Sequence, residues 1–475
     1  MSFSQPALLA FLASLAAAMG SGPKGWDYVI TFQDLRRGLL EVDWTLRGLA
    51  GPVRLCADTD GAERFVRQMW VVEPGGGGPR RRLERQPGTS CWRTLALPRQ
   101  PLRLRYHYDL AALAAATGDP DQASRLGDDY IFNDQAVLLR PDPLPAGVPI
   151  EVEFRLPAGT QVAPPWRRLP GPGLRFRYDS DHYQAGSYVA IGKLIELEGL
   201  EVGGGRIALH RLARPCRAAD AVLREWVKEA ATRVARFYGE LPGQRVHVIL
   251  APVEGSDDPS LFGTILRRGP PSVVLYFGAE STPTAFASDW MATHELFHLG
   301  NPLVRGRPAW FIEGFTTYYQ DVLRARDGGE APAAMWADLA DGFRRHCDPV
   351  EGASLLQESE RLRQTRRYSR VYWGGACVAF LLDVAMRERG HPGLDEVMRA
   401  LRVKSQHGAL EPEQVIDALD RAAGAGMTAR LLGSRTPLPL QQAYQRLGIE
   451  PLGPGLVRLR DDAPLSAVRR AMLGG

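Results

Sequence analysis

No stretch of this 475-residue chain reaches the roughly eighteen consecutive apolar residues that a membrane-spanning helix needs, so the mature chain is not expected to hold an integral membrane segment. Lysine is almost missing. Lys24, Lys193, Lys228 and Lys404 are the whole complement, and arginine supplies the rest of the 58 basic residues that face 54 acidic ones. The arginine run Arg80-Arg81-Arg82 follows a glycine tract and is bounded by Glu84, without interleaved aromatics or a basic helix, so it reads as a solvated loop and nucleic acid is excluded as a partner. Cysteine is scarce too. None of Cys56, Cys91, Cys216, Cys347 and Cys377 shows the Cys-x-x-Cys spacing of a metal or redox site, and an odd number leaves at least one thiol unpaired. Cys56 and Cys91 lie in strand-like text, where a disulfide in an exported protein and two buried free thiols are both open readings.

What is present reads as an ordinary globular chain, 45% hydrophobic and 24% charged, long enough for two or three domains. An apolar run from Ala7 to Met19 ends in small residues and has the length of a signal-peptide core, with a cut near Ser21. This gives residues 1–20 as a signal segment and a periplasmic or secreted address. No Lys or Arg precedes the run, which leaves a buried first helix or strand as the alternative.

From residue 21 to 178 short alternations such as Leu102-x-Leu104-x-Tyr106 and Ile150-x-Val152-x-Phe154, separated by Gly, Pro and Asp, predict an all-β domain. A second unit spans 179–345. There the strand Tyr188 to Ile191 comes first, then a helix whose apolar residues from Val222 to Phe237 recur with helical period up to Gly239. Strands at Arg245 to Leu250 and Ser272 to Phe277 follow, and a helix is expected from about Ser288-Asp289 to Gly300. From 346 to 475 the text reads helical, most clearly after Tyr372, over Leu394 to Arg402 and over Pro412 to Ala423. The fold class is thus multidomain α+β.

The chemistry is concentrated in His294-Glu295-Leu296-Phe297-His298 and in Glu313 of Trp310-Phe311-Ile312-Glu313-Gly314-Phe315. On a helix, positions i and i+4 share a face, so His294 and His298 can reach one zinc ion. Glu313 supplies a third ligand and leaves the fourth position open, which separates a catalytic site from a closed structural one. Glu295, at the edge of that face, is placed to take a proton from water as a general base rather than to bind the metal. In a chain with only nine histidines this pairing is unlikely by composition alone.

These residues resemble the gluzincin metallopeptidases, and among them the glycyl aminopeptidase family more than the aminopeptidase N family. The similarity rests on His294 to Pro308, with Asn301 and Arg305-Gly306-Arg307-Pro308; on Trp310 to Tyr319; and on Tyr372-Trp373-Gly374-Gly375-Ala376 running into Phe380-Leu381-Leu382-Asp383. It covers roughly Arg217 to Arg389. The resemblance implies a thermolysin-like α/β catalytic domain between the β domain and the α-helical domain, Zn2+ as cofactor, and a peptide or protein substrate. It also implies that the Tyr372 hydroxyl stabilises the oxyanion, with Tyr368 a weaker alternative. Asp289, Asn301, Thr316 and Thr317 are candidates to support the ligands from behind.

The chain departs from the family in four places. Gly374 stands where a Tyr-x-Lys-Gly pattern has lysine, too few residues follow Glu450 for a PDZ domain, and the loop between the two ligand helices is short. A fourth difference bears on the substrate. The strand-like text from Gly263 to Val274 has no acidic residue to hold a free amine, and Glu280 of Gly278-Ala279-Glu280 stands close to His294, so dependence on a free N-terminus is expected to be weakened. The leading expectation is a zinc-dependent peptidase, aminopeptidase and endopeptidase both open. Its alternatives are a non-catalytic peptide- or partner-binding protein with a structural zinc, and a zinc hydrolase of non-peptide substrates.

Overall fold

The segment Gly-Trp-Asp-Tyr-Val-Ile-Thr-Phe forms the strand Gly25–Phe32, and its alternation buries Trp26, Tyr28 and Ile30 on one face. In this computed structural model, which describes residues 25–48, 52–59, 61–72, 81–94, 101–183 and 185–474, that strand is central to an eight-stranded sheet. It pairs parallel with Pro149–Arg155 and antiparallel with Leu39–Arg47, which in turn pairs with Leu102–Asp109. The apolar run Ala7 to Met19 and the cut near Ser21 lie outside the described residues.

The strands expected for this region are there, but it is not purely β. Leu110–Thr117 is a helix, its first turn held by the Asp109 carboxylate accepting the Ala112 N–H at 2.8 Å and its end marked by Gly118 in the left-handed region, φ 53°. The Leu-Ala-Ala-Leu-Ala-Ala-Ala text carries high helix propensity, and the Asp109 cap adds about 1 kcal/mol. Cys56 and Cys91 are joined as a disulfide across paired strands.

Tyr188–Gly192 pairs with Asp129–Asn133 in a four-stranded sheet, so this strand lies with the β region rather than beyond its expected end at 178. All five of its residues are buried. One face packs into the first core through Val189 and Ile191; the other, through Tyr188 and Ala190, packs on Ile249, Val274 and Tyr276 of the next sheet. That shared apolar layer seats the β region against the second unit.

The second unit is a five-stranded sheet in the order Leu194–Val202, Gly205–Leu212, Arg245–Val253, Ser272–Gly278, Phe262–Leu266. Phe262–Leu266 pairs antiparallel with Ser272–Gly278 and forms the edge of the sheet. The helix Asp220–Tyr238 lays Leu223, Trp226, Val227 and Val234 on this sheet and stops at Gly239, φ 83°. Helices then dominate, apart from a hairpin of Ile449–Gly453 and Leu456–Leu459 in the stretch read as helical. Cys347 and Cys377 form a second disulfide, a pairing not legible in the sequence, and Cys216 is free. Among the described residues no helix is long and apolar enough to cross a membrane.

Candidate metal centre and active site

Three helices build the site. The first, Met291–Phe297, continues through a tighter turn His298–Gly300 and so ends where expected. It begins later than Ser288, but Asp289 does hold its start: the carboxylate accepts the Ala292 N–H at 3.0 Å and the Trp226 indole N–H at 2.7 Å, and also accepts from the Ser260 hydroxyl. Asp289 therefore fastens the helix to the sheet side and does not touch the histidines. The second helix, Ala309–Arg326, carries Glu313 and is tied to the first by Arg324 Nη2 donating to the Ser288 carbonyl at 2.8 Å.

The third helix, Tyr368–Glu388, crosses the second at glycine. A Cβ at Gly375 would stand 2.7 Å from Gly314 Cα, so the two backbones are in direct contact and no larger residue fits without displacing them. This close crossing brings Tyr372 over the ligands. Its ring lies parallel to His294, 15° between planes and 6.4 Å between centroids.

His294, His298 and Glu313 converge with their ligand atoms within 4.8 Å of one another. Glu313 Oε2 lies 3.5 Å from His294 Nε2 and 3.3 Å from His298 Nε2. Burial alone would raise the Glu313 pKa, but the two imidazoles outweigh it and hold this carboxyl well below its usual range. Burial keeps His298 below the ordinary histidine value, whereas for His294 the opposing pull of Glu313 and Glu295 wins and the shift is upward. An ionised carboxylate and two imidazole nitrogens on one small volume form a donor set suited to zinc, with Cys absent and room for a further ligand.

The far ring nitrogens are also engaged. His294 Nδ1 lies 2.8 Å from Gln320 Oε1, a partner the sequence reading missed. Gln320 sits two helical turns after Glu313, and that spacing on one face was the available signal. His298 Nδ1 faces the Asn301 amide at 3.0 Å and the Thr316 hydroxyl at 3.4 Å, so these two candidates do stand behind a ligand. Thr317 does not: its hydroxyl donates to the Glu313 carbonyl along its own helix.

Glu295 is buried beside the ligands and is pushed up to about 8, chiefly by burial. A Cβ at Gly263 would come within 2.7 Å of Glu295 Oε1, so the glycine of the edge strand leaves the space that this carboxylate fills. Burial likewise raises the Tyr372 hydroxyl, and the neighbouring Glu313 and Glu295 add to it, so Tyr372 is a neutral donor. Tyr368 is exposed and touches Tyr372 edge-on at 6.2 Å.

Glu280 is not at the site. It is exposed, and its carboxylate accepts the Gly255 and Ser256 N–H groups at 3.0 and 2.8 Å. A different carboxylate takes up that corner. Asp121, from the β region, accepts the Thr264 hydroxyl of the edge strand at 2.5 Å, and the Tyr188 hydroxyl lies 3.4 Å away. Asp121 keeps solvent access while walled in by its neighbours, and that enclosure raises its pKa. It is also close enough to Glu295 and Tyr372 to raise theirs. No local pattern announces it, because it reaches the edge strand across 143 positions of sequence.

No family model matches the chain, and no curated protein matches it in sequence. Solved structures do match in fold. An aminopeptidase N family protein from Idiomarina loihiensis is similar at a TM-score of 0.73 and 18% identity, over 89% of this chain and 78% of that one. An M1 zinc metallopeptidase from Deinococcus radiodurans is similar at 0.56 and 17%, over 91% and 96%. A mutant M1 zinc metallopeptidase from the same organism, bound to a Tyr-Ser-Ala substrate, is similar at 0.54 and 16%, over 88% and 95%. The chain therefore has the fold of the M1 zinc metallopeptidases, which agrees with its gluzincin-like motifs at large, while these matches are of the aminopeptidase N kind rather than the glycyl aminopeptidase family that the motifs favoured.

Proposed function

We propose that this protein is a zinc-dependent peptidase that removes residues from the free N-terminus of peptides. The observation that carries the reading is the convergence of His294, His298 and Glu313 with an intact, buried Glu295 beside them. These three would hold the zinc, which when bound supplies Lewis acidity to polarise a carbonyl and acidify a water. Glu295 accepts the proton of the attacking water and passes it to the departing amine, a task suited to a carboxyl raised toward neutral pH. The Tyr372 hydroxyl donates to the oxygen that gains charge as the carbonyl becomes tetrahedral. A purely structural zinc site has no use for Glu295, which weighs against the non-catalytic alternative.

Asp121 favours the exopeptidase form of this reading over a weakened need for a free amine. An ammonium ion held at the site gains from a carboxylate partner, and Asp121 offers one beside Thr264 in the middle of the edge strand. We further propose that the protein works outside the reducing cytosol, since two disulfides join four of its five cysteines. The test is metal analysis of the purified protein with cleavage of a matched pair of peptides, one unblocked and one N-acetylated. One zinc per chain and cleavage of the unblocked peptide alone are expected. Equal cleavage of both would return the reading to an endopeptidase, and a metal-free, inert protein would overturn it.

A further inference from the structure

We infer that Leu261 and Trp290 form an apolar shelf for the residue on the C-terminal side of the cleaved bond, so that peptides with a bulky apolar residue there are the preferred substrates. This rests on the peptidase reading above. Large apolar side chains are mostly buried among the described residues, yet Trp290, beside His294, is 40% exposed and Leu261, just ahead of the edge strand, 38%. Trp290 lies one helical turn before His294, and its ring meets that imidazole edge-on at 5.7 Å and 80°. The segment that carries Leu261 is tied to the start of this helix by the bond between Ser260 and Asp289, the residues immediately before Leu261 and Trp290. Because Asp289 is also fixed by Trp226 and by the Ala292 N–H, the two apolar side chains are held on rigid backbone rather than on a free loop.

The edge strand gives the shelf its direction. Thr264 carries Asp121, Gly263 lies against Glu295, and Leu261 stands just ahead of the strand. A peptide whose amine is at Asp121 and whose first carbonyl is within reach of Glu295 therefore continues away from Thr264, toward Leu261 and Trp290. Phe262 is exposed as well, but it falls on the opposite face of the strand, against Tyr276 at 5.9 Å, and is not counted in the shelf. An indole left in water beside a reaction centre is covered at a gain in free energy by any apolar group of matching size.

The experiment compares alanyl-phenylalanine amide with alanyl-glycine amide, identical in the residue removed. In zinc-loaded wild type kcat/KM is expected to favour the phenylalanine peptide by about tenfold to a hundredfold, the discrimination that one apolar pocket supplies. Trp290→Ala should bring the ratio to within about threefold of unity, and Leu261→Ser, on the segment before the strand, should reduce it by a smaller factor. Calorimetric binding of both peptides to the zinc-loaded Glu295→Gln protein should show the same preference without turnover, and the same loss when Trp290→Ala is added. Equal kcat/KM and equal affinity for the two peptides in wild type would overturn the shelf while leaving the peptidase reading standing. A preference that survives both substitutions would overturn the assignment to these residues. Cleavage of neither peptide would overturn the peptidase reading, and this inference with it.

Discussion

The two sides of the cleft are made in different ways. On the helical side, helical period puts His294, Glu295 and His298 together on one helix, and Glu313 comes from the next helix, packed against it a short way on in sequence. On the sheet side, Asp121, Gly263 and Leu261 arrive by strand pairing and by the packing of the β region on Ile249, Val274 and Tyr276. In the proposed function the helical side supplies the reacting groups, while the sheet side, with Trp290 at the start of the first helix, reads the substrate. On that reading the reacting groups come from neighbouring helices close in sequence, whereas the amine partner depends on how two sheets sit against each other.

The sharpest way to probe the helical side is Glu295→Gln, which keeps the side chain's shape and removes its basicity. Turnover is expected to fall by about three orders of magnitude or more while zinc content stays at the wild-type level, and His298→Ala should lose both together. Zinc analysis beside the cleavage assay separates the two. Retention of activity in Glu295→Gln would end its assignment as the base.

Tyr372→Phe is the next largest effect. It removes one hydroxyl and leaves the ring parallel to His294, so a role in packing predicts little change. A role as oxyanion donor predicts a fall in kcat of about two to three orders of magnitude with zinc retained, measured under saturating peptide.

The sheet side is tested by Asp121→Asn, which keeps an acceptor for the Thr264 hydroxyl and removes the charge. For an unblocked peptide kcat/KM should drop by about a hundredfold, because the amine loses its carboxylate partner. The drop should disappear when wild type and variant are compared on an N-acetylated peptide. A drop of equal size on both peptides would make Asp121 a structural group between the two sheets.

The same contrast explains what could be read beforehand. The ligand triad, Glu295, the helix from Asp220 and the Pro412–Ala423 helix were legible because each is a periodic or motif-bearing run of adjacent residues. The helix Leu110–Thr117 was masked by flanking strand text, although its alanines are strong helix formers. The Cys347–Cys377 bridge depends on where two helices lie, and no spacing rule encodes that. Asp121 stayed hidden for the same reason. The strand text beside the helix of His294 holds no acidic residue, and the carboxylate at its threonine comes instead from the β region.

The smallest expected effect falls on Gln320, which links both kinds of organisation because it shares a helix with Glu313 but supports a ligand from another. If His294 holds the zinc through Nε2, Nδ1 would carry the ring's proton, and the Gln320 side-chain oxygen at 2.8 Å would be its acceptor. That hydrogen bond fixes the tautomer and the ring's orientation, so its loss acts on metal affinity rather than on the proton transfers of Glu295. Gln320→Leu keeps similar bulk and removes the acceptor. Zinc affinity, titrated against a competing chelator, should weaken by about tenfold to a hundredfold, while kcat at saturating zinc should change much less. If instead kcat falls with zinc affinity intact, Gln320 belongs to the reacting side of the cleft and the division drawn above fails at this residue.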